Sequence, residues 1–189
     1  MRRWEFTGET KTVFGIVLRR IKAAVKFTLK FGIEVKAGEL GGWIEKESNL
    51  GDNAWVSGNA RVFGNARVSD DALVFGNARV SGNALVSGNA RVSGNARVYG
   101  NARVYGDAHY LLIGRIGSRK DFTTFTRDKA GTIYVRCGCF YGTIAEFRAK
   151  VRETHGDNKH GRVYQAAADL AELQIDTTPI EDEEANGDA

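Results

Sequence analysis

The amino-acid sequence predicts a mainly β protein whose middle part is a parallel β-solenoid. Ten alanines follow one another at six-residue steps from Ala54 to Ala108, and nine valines keep the same step from Val56 to Val104. The repeated unit is Gly-Asn-Ala-Arg-Val-Ser, in which the β-branched valine suits the inner face of a strand and Gly-Asn suits a turn. A fixed short period of this kind is typical of solenoids, in which each unit is stabilised by stacking on its neighbours.

Four parts can be distinguished along the chain. The register of the repeat extends back from Val56 through Leu50 to Ile44 and forward to His109. The open edge of a first coil must be covered, so we expect the segment before the repeat to be a cap. The predicted parts are an N-terminal β cap at 1–43, a β-solenoid at 44–109, a small α+β domain at 110–176 and an acidic, disordered tail at 177–189.

The N-terminal cap is predicted to be β, with one alternative left open. Val13–Leu18 is apolar enough for a strand. Every second residue from Ile21 to Phe27 is apolar, as expected of a strand with one buried face. A basic amphipathic helix over Arg19–Phe31 is the competing interpretation, because several lysines and arginines are spread among these apolar residues.

The segment after the repeat predicts strands followed by helices. The turn residues Asp128–Gly131 lie between two β-rich runs, which is a hairpin signal. Thr143 precedes a helical pattern and Glu146 follows it three residues later, which is a capping box. The predicted elements are strands at Tyr110–Ile113, Thr123–Thr126 and Thr132–Cys137 and helices at Ile144–Thr154 and Val163–Leu173, with Gly156 ending the first helix.

The repeat resembles that of the hexapeptide-repeat proteins. Their pattern is an aliphatic residue followed four positions later by a small one, and Val-Ser-Gly-Asn-Ala-Arg fits it. The resemblance implies a left-handed parallel β-helix with three units, or 18 residues, in each triangular coil, and it implies trimers. It also implies acyltransferase activity as one candidate function, with a histidine as general base at a cleft between subunits.

The whole chain is also similar to uncharacterised β-helix proteins of phages and prophages, some of which are labelled putative transferase. The segments that carry this resemblance are Glu5–Glu9, Lys36–Glu45 and Tyr134–Phe140. It implies a protein that acts in the cytoplasm of a host cell, where an anti-defence role is attractive.

The charge of the chain indicates anionic partners. The formal net charge is +4, but five acidic residues lie between Glu181 and Asp188. Without them 27 basic residues face 18 acidic ones, which is a net charge of +9. A basic body favours nucleic acid, nucleotides or acidic proteins as partners, and the alternative is charge that only keeps the protein soluble.

Targeting signals and cysteines point to the cytoplasm. The apolar runs are short and interrupted by Lys and Arg, and the N-terminus lacks the apolar core of a secretory signal. Two cysteines in 189 residues do not suggest a disulfide scaffold. We therefore expect a cytoplasmic protein without a membrane partner.

The arginines before the valines fall into columns on an 18-residue coil. Guanidiniums about 4.8 Å apart repel each other by about 0.9 kcal/mol even in water, so a column favours a bound anion, which arginine holds bidentately. The alternative is that arginine stems only cover the sheet, or that repeat duplication copied them. Aromatic residues beside the columns add surfaces on which bases can stack. The predicted ligand-binding residues are Arg61, Arg79 and Arg97 on one face, Arg67 and Arg103 on the next, and Phe63, Tyr99 and Tyr105.

Other outward positions of the repeat predict contacts rather than anion binding. Trp55, Leu73 and Leu85 interrupt the arginines and indicate a subunit interface. His109 follows Arg91 by one coil and is the candidate base of an acyltransferase. Its place in the last unit, in a repeat with no interrupting loop, favours an ordinary histidine at the domain junction instead.

Two cysteines and two histidines in the C-terminal domain form a candidate zinc set. Cys137 and Cys139 on one strand would point both sulfurs to the same face, with His155 at a helix end and His160 in the following loop. This spacing is unusual for zinc. The alternatives are buried cysteines beside a helix-terminal histidine, or a Cys-His catalytic pair.

Together these patterns predict a non-enzymatic, homo-oligomeric β-solenoid without a cofactor. Its arginine-lined faces are expected to bind an anionic partner: a nucleotide signal, nucleic acid or a host defence complex. The alternatives are a hexapeptide-repeat acyltransferase and a structural spacer or oligomerisation module.

Overall fold

A computed structural model describes residues 2–30 and 32–180 of the chain. Residues 181–189 of the predicted disordered tail lie outside the described residues. Residues 177–180 are described, and Ile180 N donates to the Lys129 carbonyl at 2.9 Å, so the prediction of disorder is wrong for these four residues. The described part is mainly β, with a solenoid of about three turns between an N-terminal hairpin and a C-terminal α+β unit. The predicted fold class is therefore confirmed, while the left-handed sense of the coil stays a prediction from the resemblance.

The N-terminal segment is a β-hairpin that extends the solenoid sheet. Strands β1 (Trp4–Val13) and β2 (Ile16–Ala23) are antiparallel. A short arm follows, made of β3 (Phe27–Thr28) and β4 (Glu34–Val35), before β5 (Leu40–Ile44) enters the solenoid. Because β2 pairs with β5, the edge of the first coil is covered.

One predicted strand of this segment is wrong, and one alternative for the residues after it does not form. The predicted strand Val13–Leu18 is interrupted, because Phe14 and Gly15 form the hairpin turn with φ angles of 53° and 78°. The helix considered over Arg19–Phe31 does not form in the described residues, where β2 runs as a strand to Ala23.

Each six-residue unit contributes one two-residue strand, and these strands pair in parallel to form three sheets. Arg61 pairs with Arg79 and Arg79 with Arg97, so each turn takes 18 residues. One sheet adds the hairpin and runs β1-β2-β5-β7-β10-β13, and the others are β8-β11-β14 and β6-β9-β12. The strands are β6 (Trp55–Val56), β7 (Arg61–Val62), β8 (Arg67–Val68), β9 (Leu73–Val74), β10 (Arg79–Val80), β11 (Leu85–Val86), β12 (Arg91–Val92), β13 (Arg97–Val98) and β14 (Arg103–Val104).

Alanine and valine fill the solenoid, and glycine forms its corners. Every repeat alanine from Ala54 to Ala102 and every repeat valine from Val56 to Val104 is at most 1 % exposed. At the corners Gly82 has a φ of 72°, and a Cβ there would lie 2.9 Å from the backbone nitrogen of Gly100. The interior therefore has no space for a ligand, and any site lies on the outside or in a flanking segment.

The C-terminal unit packs two helices against a four-stranded antiparallel sheet. The sheet order is β15-β16-β17-β18, and the core between the layers is built around Phe125, Val135, Phe147 and Ala168. The elements are β15 (Tyr110–Ile116), β16 (Asp121–Arg127), β17 (Ile133–Cys137), β18 (Phe140–Thr143), α1 (Ile144–His155) and α2 (Lys159–Gln174).

The predicted hairpin and the capping box of the first helix are confirmed. The Thr143 hydroxyl accepts from the Glu146 amide, and the chain leaves α1 at Gly156. Two differences remain. α2 begins at Lys159, four residues before the predicted start, because the side chain of Asn158 caps it. Strand β18 was not predicted.

Side chains that follow the last repeat strand in the sequence close the last coil of the solenoid. The Arg97 amide donates to Thr124 Oγ1 at 3.0 Å, and the Arg91 amide donates to Asp107 Oδ1 at 3.0 Å. If the repeat continued, these two amides would donate to carbonyl groups of the next coil. The side-chain oxygens of Thr124 and Asp107 accept these hydrogen bonds instead. Among the described residues, neither α-helix has the length and apolar character needed to cross a bilayer.

Candidate functional site

The predicted column of Arg61, Arg79 and Arg97 exists, and we call it the arginine row. The three residues are register partners on β7, β10 and β13, and backbone hydrogen bonds of 2.9 Å join Arg61 to Ala78 and Arg79 to Ala96. All three side chains are half-buried. The spacing of the strands therefore holds three guanidinium groups on neighbouring rungs of one sheet.

Little negative charge compensates the arginine row. Among the described residues no carboxylate forms an ion pair with Arg61 or Arg79, and Arg97 has only Asp121 at 3.9 Å. The Arg61 Nε is buried without a hydrogen-bond partner. Burial lowers the pKa of Arg79, and the charges of Arg61 and Arg97 lower it further. Because buried cations normally have partners, the row favours an anion from outside.

The N-terminal hairpin brings further positive charge to the same sheet. Lys11 Nζ lies 3.7 Å from the ring centre of Trp43, which is the register partner of Arg61 on β5. Arg20 lies over the same ring at 5.4 Å and is paired with Glu9. Burial, Arg61 and Arg20 together lower the pKa of Lys11 to about 8. The excess of positive charge thus continues from the row to the hairpin.

A cleft of about 240 Å³ lies over the outer part of the arginine row. Phe14, at the tip of the hairpin, forms one wall, and its ring centre is 5.5 Å from the Arg79 guanidinium carbon. Arg136 of β17 lies 5.5 Å from the Tyr99 ring centre. The cleft is lined by Phe14, Phe63, Arg79, Ser81, Arg97, Val98, Tyr99 and Arg136, and we call it the aromatic cleft.

Arg97 also lines a second, more polar cavity of about 380 Å³. Arg115 comes from β15 and Arg119 and Lys120 from the turn after it, and they join Arg97 and Asp121 in its lining. Arg97 thus connects the aromatic cleft to a second group of cations. The basic surface therefore involves all three parts of the described chain.

The other predicted binding residues lie on a different face of the solenoid. Arg67 and Arg103 belong to the sheet β8-β11-β14, where Leu85 separates them. Arg103 donates to the Asn83 carbonyl at 2.9 Å, so a backbone acceptor already engages its guanidinium. Tyr105 packs against His109 with ring centres 6.1 Å apart. These residues do not join the arginine row.

The predicted subunit contact at Trp55 is wrong, because the chain covers this residue itself. Trp55 is 2 % exposed, and Phe27 of β3 packs edge-to-face on it with ring centres 5.5 Å apart. Leu73, its partner on β9, is also buried. The segment between the hairpin and the solenoid therefore occupies the apolar part of this face.

His109 acts as a backbone cap at the end of the solenoid. Its Nδ1 accepts a hydrogen bond of 3.0 Å from the Tyr105 amide. Burial and the positive charge of Arg127 lower the pKa of His109, and the negative charge of Asp176 acts to raise it. The position predicted for it, stacked on Arg91 as the next strand, is wrong, because Asp107–His109 form a 3-10 turn.

Three of the four candidate zinc ligands, Cys137, Cys139 and His155, line one cavity of about 310 Å³, but the four do not form a metal site in the described residues. Cys137 ends β17, and Gly138 and Cys139 form the turn to β18, so the two sulfurs are not on one strand as predicted. His155 stacks on Tyr164, and His160 lies 6.1 Å from His155 between ring centres. In the part of the chain that the structure describes, no group of three or more His, Cys, Asp or Glu side chains could hold a metal.

Sequence reasoning missed three residues of the aromatic cleft and its border: Phe14, Lys11 and Arg136. The signal for Phe14 was Gly15, because a glycine between two β-branched runs is a hairpin-turn pattern. Arg136 carried no signal, since its side chain reaches the cleft only through the packing of β16 on the last coil.

The fold and the repeat together define a β-solenoid repeat protein, with short parallel strands stacked at 18-residue steps. The family model described as YdcK beta solenoid repeat matches residues 54–70, 66–82, 78–94, 84–100, 90–106 and 96–109. All of these matches lie within residues 54–109, where the chain is similar to that β-solenoid repeat family. No curated protein matches the chain in sequence.

Proposed function

We propose that this protein binds a small phosphate-bearing anion on the arginine row and performs no chemistry on it. The supporting observation is the row itself: Arg61, Arg79 and Arg97 stand on neighbouring rungs with a single carboxylate at 3.9 Å and a buried, unpartnered Arg61 Nε. Guanidinium groups bind phosphate oxygens bidentately, so an anion would neutralise the row and satisfy its donors.

The walls of the site favour a small ligand over a long polyanion. Phe14 at the hairpin tip and Arg136 of the C-terminal unit both line the aromatic cleft, and its volume is about 240 Å³. Ligand pockets for drug-sized molecules span about 300–1,000 Å³, so this cleft suits a compact molecule. The arginines, aromatic residues and serine that line the cleft are side chains that typically bind anionic and planar ligands.

The resemblance to phage proteins extends the proposal to the partner and the assembly. A phosphate-bearing anion from the host, such as a nucleotide signal, is the partner expected in that setting, and a trimer is the expected assembly. Native mass spectrometry of the purified protein tests both, because it reports the number of subunits and the mass of any copurified ligand.

A pair of matched variants tests the arginine row. Arg79→Leu removes the central guanidinium, and Arg67→Leu removes an exposed one from another face. Leucine already occupies the equivalent positions 73 and 85, so both variants fit the repeat. Calorimetric titration with inorganic tripolyphosphate should show a loss of at least about 10-fold for Arg79→Leu, because a hydrogen bond to a charged group contributes about 1.5–3 kcal/mol.

The control variant decides the meaning of that loss. Arg67→Leu should change the affinity less than about 2-fold, because only general electrostatic attraction is lost. If both variants lost the same affinity for tripolyphosphate, binding would depend on the net charge of the protein alone. Undiminished binding by Arg79→Leu would contradict the proposal.

A further inference from the structure

The aromatic column beside the arginine row has a gap in its middle. Phe63, Ser81 and Tyr99 follow Val62, Val80 and Val98 on successive rungs, and the backbone ladder continues through them, with Phe63 N donating to Val80 O and Ser81 N to Val98 O. Two aromatic residues therefore flank one serine. All three line the aromatic cleft.

The width of this gap matches one planar ring. Parallel strands are about 4.8 Å apart, so the backbones at Phe63 and Tyr99 are about 9.6 Å apart. A ring in contact with both neighbours needs about 7–8 Å, because carbon atoms in contact are about 3.5–4.0 Å apart. Serine is short enough to leave that space open, whereas a third aromatic residue would fill it.

The floor of the gap carries a hydroxyl group, that of Ser81, which lines the cleft. Ser81 is 6 % exposed, and its hydroxyl makes no hydrogen bond with the described residues. A hydroxyl both donates and accepts, and the edge of a nucleobase presents both donors and acceptors. A base edge over Ser81 could therefore exchange a hydrogen bond with this hydroxyl.

The side of the cleft carries an aromatic ring held away from the core. Phe14 is 78 % exposed, and its φ of 53° is a left-handed conformation that costs a residue with a side chain about 1–2 kcal/mol. Its ring faces the Arg79 guanidinium at 5.5 Å. Aromatic faces and arginines alternating around one cleft are the surroundings that single bases and their phosphates favour.

We propose that the ligand is a free nucleoside phosphate whose base lies over Ser81 between Phe63 and Tyr99 and whose phosphates lie on Arg79 and Arg97. This inference rests on the proposed function, because it takes the arginine row as the phosphate site. It adds the chemical class of the ligand and the residues that select it.

The test fills the gap without changing the arginines. Ser81→Phe places in the gap a residue that the repeat already carries at the equivalent positions 63 and 75. Ser87→Phe is the matched control, because Ser87 has the same place in the next unit, on another face, and the same exposure of 6 %. The probes are ATP, UTP and inorganic tripolyphosphate, measured by calorimetry at one salt concentration.

The wild-type protein should bind at least one of the two nucleotides about 5- to 150-fold more tightly than tripolyphosphate, which is the range expected from stacking one base. Ser81→Phe should lose this preference and keep its affinity for tripolyphosphate. Ser87→Phe should keep both the preference for a nucleotide and the affinity for tripolyphosphate.

Each failure is distinct. If wild-type protein binds tripolyphosphate as tightly as the nucleotides, the nucleoside inference is overturned and the anion site stands. If none of the three probes binds, the proposed function fails as well. A single-stranded dT oligonucleotide that binds more tightly than both free nucleotides would overturn the inference in favour of a strand of nucleic acid.

Discussion

The amide of Arg97 donates a 3.0 Å hydrogen bond to the side-chain oxygen of Thr124. Arg97 is on the last strand of the largest solenoid sheet, and Thr124 is on β16 of the C-terminal unit. The same bond thus closes a sheet edge and joins the two parts of the chain. It also holds β17, and with it Arg136, beside the aromatic cleft.

Replacing Thr124 should uncover this edge. Thr124 is 1 % exposed, and valine has its shape without the acceptor, so Thr124→Val leaves the Arg97 amide unsatisfied. The expected loss is about 1–3 kcal/mol of unfolding free energy. Urea denaturation measures it, and Thr132→Val, at an exposed threonine, is the control. Equal stability of the two variants would mean that the bond does not hold the edge.

His109 should make the stability of the protein depend on pH. Its pKa is lowered by burial and by Arg127, with Asp176 acting in the opposite direction, so the unfolded chain takes up a proton at a higher pH than the folded protein. The stability that this histidine contributes is therefore present above its unfolded pKa of about 6.5 and is lost as the pH falls through the folded pKa.

A substitution that keeps the acceptor isolates this effect. Asparagine can present Oδ1 to the Tyr105 amide and does not titrate in this range. Between pH 7 and pH 5 the melting temperature of His109→Asn should therefore fall by less than that of the wild-type protein. Thermal scans of both proteins, with His160→Asn at an exposed site as control, make the comparison. Parallel pH profiles for wild type and His109→Asn would show that the cap is not the titrating group.

Lys11 should react faster with acylating reagents than an ordinary exposed lysine. Burial, Arg61 and Arg20 lower the pKa of Lys11 to about 8, so at pH 8 its amine is neutral in about half of the molecules. An ordinary lysine is neutral in under about 1 % of molecules at this pH. Brief acetylation at pH 8, mapped by mass spectrometry, should modify Lys11 faster than the exposed Lys36. Inorganic tripolyphosphate should slow the reaction at Lys11, because a nearby anion favours the charged amine. Equal rates at both lysines would contradict the lowered pKa.

The repeat was predictable because its forces are local and periodic. One valine and one alanine in every six residues predict a strand with a narrow apolar interior, and the structure places both residue types inside at every turn. The same period predicts the arginine row, since residues 18 apart fall on neighbouring rungs. Glycine at the corners follows from the positive φ that each turn needs, as at Gly82.

The flanking segments were predicted less well because they have no period. The sequence around Phe14 reads as one apolar run, and only the pairing of β1 with β2 shows that the chain reverses there. Trp55 looks like an exposed residue for a partner, and only the arm that carries Phe27 shows that it is covered. The sequence predicts Cys137 and Cys139 on one strand, but Cys137 ends β17 and Cys139 lies in the turn that follows it.

The sequence by itself determined the solenoid, its 18-residue register and the stacking of Arg61, Arg79 and Arg97, because a six-residue period fixes which side chains point inward and which outward. Only the tertiary structure decided that this row has a cleft over it. The walls, Phe14 and Arg136, are more than 100 residues apart in the chain. They meet because the hairpin pairs with β5 at one edge of the sheet and Thr124 caps β13 at the other. Such pairings depend on free backbone groups at two sheet edges, which no local pattern records.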